Sequence, residues 1–120
     1  MIEKANLALP HLVNHAKDKK TLTYKELAAL INYHYRHLSK PLEYIRDYCI
    51  ENKLPLINVI VVNAKTQRPG INYLGEDISS LSKEEQKRIF KKHRDAVFSY
   101  TEWKERLEEY NREQMSKSKS

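Results

Sequence analysis

Leu56-Ile57-Asn58-Val59-Ile60-Val61-Val62-Asn63 decides between an all-helical and a mixed fold. The run is short, rich in β-branched residues and almost wholly apolar. Those features predict a strand covered on both faces. The loop Ala64-Lys65-Thr66-Gln67-Arg68-Pro69-Gly70 follows, with two positive charges at its tip. Ile71-Asn72-Tyr73-Leu74 is expected to return as a second short strand.

Helical spacing dominates upstream. Ala5, Ala8, Leu9, Leu12, Val13 and Ala16 recur at helical intervals, with Pro10 best accommodated in a first turn, so that the helix starts near it. The basic loop Lys17-Asp18-Lys19-Lys20 comes next. Thr23-Tyr24-Lys25-Glu26 then reads as a capping box opening a short helix that stops around Asn32. A third helix carries Leu38, Leu42, Ile45 and Cys49 on one face, with Pro41 in its first turn; Asn52 and Pro55 end it.

Downstream, Ser82-Lys83-Glu84-Glu85 is a second capping box. It opens a basic helix with Ile89, Phe90, His93 and Ala96 expected inward. Val97-Phe98-Ser99-Tyr100 favours a β-segment and a break, although steps of four and three from Ile89 to Tyr110 would also suit one long helix. Trp103, Leu107 and Tyr110 form an apolar stripe that docks on the domain's own core or, alternatively, on a partner or second copy.

The expected fold is therefore α+β: a winged helix-turn-helix-like domain with a short sheet and C-terminal helices. A chain of 120 residues, 40% hydrophobic and 32% charged, suits one domain, residues 1–115, with a frayed basic tail at 116–120. The single cysteine, Cys49, cannot form an internal disulfide. With no signal-peptide pattern and no apolar run near the ~20 residues that span a bilayer, the cytoplasm is the expected compartment.

Charge is uneven. Residues 1–75 hold 11 Lys and Arg against 6 Asp and Glu, whereas residues 76–115 hold 9 against 10. A basic half of this kind attracts polyanions, nucleic acid first. In a winged helix the helix entry meets the groove while wing and loop meet phosphates. The candidate contacts are Lys19 and Lys20 in the loop, Tyr24, then Tyr35, Arg36, His37, Ser39, Lys40 and Arg46 around the third helix, and Lys65 and Arg68 in the wing.

Leu22-Thr23-Tyr24-Lys25-Glu26-Leu27-Ala28, followed by Arg36-His37-Leu38-Ser39-Lys40-Pro41-Leu42, resembles the DNA-binding half of the alkyltransferase-like and methylguanine-DNA methyltransferase family. The resemblance spans residues 20–65. It implies that Tyr24 contacts a phosphate and that Arg36 fills the gap left by a flipped base. The methyltransferase's Pro-Cys-His-Arg motif is absent: Val61-Val62-Asn63-Ala64 stands there. Only the binding half of the family's behaviour carries over, and no alkyl-accepting thiolate is expected.

No catalytic constellation stands out. His11 and His15, or His34 and His37, have metal-compatible spacing but no supporting ligand. Glu76-Asp77 lacks the strand of a metal-dependent nuclease. Two glycines cannot build a phosphate loop. The expected function is a non-catalytic, cofactor-free nucleic-acid-binding module, with duplex DNA as the partner and no membrane. The alternative is a protein-interaction adaptor or inhibitor subunit of a nucleic-acid-processing machine.

Overall fold

Helix α1 (Ile2–Lys17) runs straight through Pro10 rather than starting at it. The computed structural model describes residues 2–70 and 73–118. A mid-helix proline removes one hydrogen bond and costs ~3 kcal/mol or more. Here α1 lies at the centre of the fold, packed against α2 (Tyr24–Leu30), α3 (Ser39–Glu51), α4 (Lys83–Ser99) and α5 (Trp103–Ser118). It buries Ala5, Ala8, Leu9, Leu12, Val13 and Ala16. Burial of Leu9, Leu12 and Val13, at roughly 1.5–3 kcal/mol each, exceeds that cost.

The capping box of α2 is complete. Glu26 N–H donates to Thr23 Oγ1 at 3.1 Å, and Thr23 N–H donates to Glu26 Oε1 at 2.8 Å. These bonds hold the Glu26 carboxyl below its ordinary range. At α4 the Ser82 hydroxyl oxygen accepts from Glu85 N–H at 3.1 Å. Helices α1, α2 and α3 all end alike, in a left-handed residue that is not glycine: Lys19 (φ 56°), Asn32 (φ 52°) and Lys53 (φ 56°). In each, the next residue's N–H reaches five residues back: Lys20 to His15, Tyr33 to Ala28 and Leu54 to Cys49. That is the Schellman closure.

The stretch at 56–63 is mostly not a strand. Residues Ile57–Ile60 form a 3-10 turn, and only Val61–Val62 is extended, as β2. It pairs in parallel with β1 (Leu22–Thr23), Leu22 opposite Val61 and Thr23 opposite Val62. A continuous apolar run has no periodicity with which to separate strand from buried turn. All four residues of the turn are buried, against α1, α3 and α4. The expected return strand is not seen in its second half: Tyr73 and Leu74 are turn, while Ile71 and Asn72 lie outside the described residues. The sheet is therefore two short parallel strands from distant parts of the chain, and no antiparallel wing is present among the described residues. The α+β class stands.

Helix α4 continues through Val97 and Phe98, so the expected β-segment there is helical. The expected break falls at residues 100–102, between α4 and α5. Val97 is fully buried and Ala96 is exposed. The inward line of α4 is thus Gln86, Phe90, His93 and Val97, with Ile89 partly buried beside it, and Ala96 falls outside that face. The stripe on α5 packs within the chain. Trp103 and Tyr110 are buried, and Leu107 packs on the same core. Trp103 Nε1–H donates to the Val97 carbonyl at 2.9 Å, and Tyr110 O–H donates to Asn6 Oδ1 at 2.5 Å. Helix α5 is helical as far as Ser118, into the tail expected to fray. Cys49 is a buried core residue, its thiol pushed up to about 11 by burial. Among the described residues no helix is long and apolar enough to cross a membrane.

Candidate nucleic-acid interface

The N-terminal ends of α2 and α3 converge on the loop after β2 and leave a cavity of about 650 Å³ between them. Its position follows from local chemistry. The capping box fixes the start of α2 beside Tyr24 and Lys25. His34 Nδ1 accepts from Arg36 N–H at 3.2 Å and opens the 3-10 turn Tyr35–His37 that leads into α3. The loop is folded on itself: Asn63 N–H donates to the Arg68 carbonyl and Gln67 N–H to the Asn63 carbonyl, both at 2.8 Å. Gly70 N–H then donates to the Tyr24 hydroxyl oxygen at 2.8 Å and ties the loop to α2.

Six of the sequence-derived candidates line this cavity: Tyr24, Tyr35, Arg36, Ser39, Arg46 and Lys65. The other five do not. Lys19 and Lys20 are exposed in the turn after α1, and His37, in the 3-10 turn, and Lys40, in the first turn of α3, are exposed away from the cavity lining. Arg68 lines a neighbouring cavity of about 220 Å³ with Phe90 and Gln86.

The cavity wall is cationic. Lys25, Arg36, Arg46 and Lys65 face one carboxylate, Glu43. Arg46 is paired with Asp47 at 3.0 Å, and its guanidinium lies against Gly75. Gly75 has φ 86°, a conformation that favours glycine, while a Cβ there would make only ordinary contact with the guanidinium carbon at 3.4 Å. Lys25, Arg36 and Lys65 form no ion pair among the described residues. Lys25 Nζ stands 5.4 Å and the Arg36 guanidinium 6.0 Å from the centre of the exposed Tyr35 ring, which holds both at the mouth. Burial raises the Tyr24 hydroxyl above its ordinary range, opposed by the Gly70 N–H bond, so the group is neutral near pH 7.

Asn58, Asn63, Lys25 and Tyr73 also line the cavity and were not among the sequence candidates. Asn58 stands in the sequence as the single polar residue inside an otherwise apolar run. It is 5% exposed. Its Nδ2–H donates to the Tyr73 carbonyl at 3.0 Å, while its Oδ1 has no partner among the described residues. No group of three or more metal-capable side chains occurs among the described residues.

No protein-family model, curated protein or solved structure matches this chain.

Proposed function

We propose that the chain is a non-catalytic DNA-binding module that docks duplex DNA across the cavity mouth. The observation that carries this reading is the convergence of Lys25, Arg36 and Lys65, from three separate segments, on one cavity, with Lys25 and Arg36 beside the exposed Tyr35 ring. Cations grouped this way neutralise phosphates, and an aromatic ring among them offers a base a face to stack on. The first turn of α3 supports the same reading. It carries no acidic residue, and Leu38 supplies no side-chain cap, so the positive end of the helix dipole is uncompensated. Arg36 takes the recognition role, and Lys65 meets phosphate.

Binding of duplex DNA, single-stranded DNA and RNA across a salt series tests this. Duplex affinity should fall steeply with salt, with a log–log slope of several units if about four to six phosphates are neutralised. Duplex binding that is absent at low salt, or flat with salt, sinks the proposal and favours the adaptor role.

A further inference from the structure

Asn58 is the feature of the cavity that phosphate contacts do not use. The Tyr73 carbonyl can only accept, so the Asn58 amide nitrogen must face it, and Oδ1 is thereby fixed as an acceptor with nothing to accept from. A buried acceptor left unsatisfied is unfavourable, and a ligand donor would relieve it. The cavity is also the right size. At about 650 Å³ it lies within the range of small-molecule sites, roughly 300–1,000 Å³.

We propose that the cavity is a site for a single nucleotide whose base carries an exocyclic amine, as adenine, cytosine and guanine do and uracil and thymine do not, with Asn58 reading the amine and Lys25, Arg36 and Lys65 holding the phosphate. The inference shares the cavity with the proposed function but asks more of it: the pocket alone must hold a ligand smaller than a strand. The choice of base follows from geometry. Oδ1 is recessed, with almost no surface open to solvent. An exocyclic amine projects beyond its ring and reaches such an atom. The ring N–H of uracil or thymine is flanked by two carbonyl oxygens, which Oδ1 repels. Tyr35 at the mouth and Tyr73 on the wall offer faces for the flat ring.

Titration calorimetry of the intact chain tests this with AMP, CMP, UMP, ribose 5-phosphate and N6,N6-dimethyl-AMP, beside a duplex and an oligonucleotide with one unpaired adenine. AMP and CMP should bind saturably. UMP and dimethyl-AMP should bind about tenfold more weakly, the value of one hydrogen bond of ~1.4 kcal/mol. Asn58→Ala should erase the difference between AMP and dimethyl-AMP. The modified ligand makes the same comparison on the unaltered chain, should that variant not fold. Equal binding of AMP, dimethyl-AMP and ribose 5-phosphate overturns the inference, because the site then holds phosphate alone. Duplex binding with no nucleotide binding overturns the inference and leaves the proposed function standing. Nucleotide binding without duplex binding does the reverse. Tighter binding of the unpaired-adenine strand than of AMP makes a strand the source; the opposite order makes it a free nucleotide.

Discussion

Tyr48, Tyr100 and Tyr110 line the seam where α5 meets the rest of the molecule, and there the rings are structural. Tyr110 packs edge-on against Tyr48 at 4.9 Å and donates its hydroxyl to Asn6. Tyr100 packs against Trp103 at 4.7 Å and accepts from Arg106 Nε–H at 3.0 Å. Around the cavity the same residue type is used differently. Tyr35 is exposed with cations over its ring, and Tyr24 on the cavity wall accepts the Gly70 N–H. Tyr100 and Tyr110, whose hydroxyls are hydrogen-bonded within the seam, hold the fold. Rings left open beside unpaired cations are available to a ligand. Exposure beside cations sets Tyr35 apart where residue type cannot.

Damage to the seam should therefore cost stability and leave the cavity intact. Tyr110→Ala removes a fully buried ring, and by analogy with other aromatic truncations should lower stability by about 3–5 kcal/mol. Urea unfolding measures the loss. A change under ~1 kcal/mol would mean that α5 is not part of the cooperative unit.

Alkaline pH strains the same core. Burial raises the Cys49 thiol to about 11 and the Tyr48 hydroxyl to about 12, and both values exceed those of an unfolded chain. Each group then contributes stability that is complete below about pH 9 and disappears as pH rises toward 12. The Cys49 thiol alone accounts for about 3 kcal/mol. Melting temperature followed from pH 7 to 12 should fall over that interval, and Cys49→Ala should flatten its early part. A curve level through pH 11 would contradict the burial of both groups.

Thr23→Ala tests the support on the cavity side. Loss of the capping box should cost about 1 kcal/mol of stability. It should also loosen Tyr24, which follows Thr23 directly and anchors the loop through Gly70. Stability and DNA affinity measured on one sample should fall together. A loss of stability alone would detach the cap from the site.

The smallest expected effect is a gain. Lys53 holds φ 56° at the end of α3, a conformation that costs a residue with a Cβ ~1–2 kcal/mol. Lys53→Gly should stabilise the chain by about 0.5–1 kcal/mol, after the extra freedom of glycine in the unfolded state is offset. A loss in the urea midpoint would contradict that backbone geometry.

Much of this architecture was legible because its signals are local. Both N-caps, the end of α2 at Asn32 and the apolar face of α3 follow from residues within a turn of one another. The 3-10 turn at 57–60 was hidden because a run buried on every side has no period. Helix α1 passes Pro10 because contacts from four other helices outweigh a local rule. Its end at Lys19 lacks the glycine that usually marks such a stop. The pairing of Leu22–Thr23 with Val61–Val62 joins segments far apart in sequence, and local reasoning placed a hairpin there instead. Six candidate contacts converge on the cavity because the stretches carrying them, 23–25, 35–46 and 63–70, were each recognisable. Asn58 is not legible as a site residue in the sequence, because a lone amide in an apolar run can equally be a satisfied core residue.

The central claim is that the cavity cations bind DNA and do not hold the fold. The direct measurement is duplex affinity across a salt series for the native chain, Arg36→Ala and Lys65→Ala, with urea unfolding of each. Arg36→Ala should cost about 1–3 kcal/mol of affinity and reduce discrimination among duplexes, while Lys65→Ala should weaken all duplexes alike and lower the salt slope by about one. Both should keep the native urea midpoint, since both side chains are exposed and neither is ion-paired among the described residues. Unchanged affinity and slope in both folded variants would contradict the account.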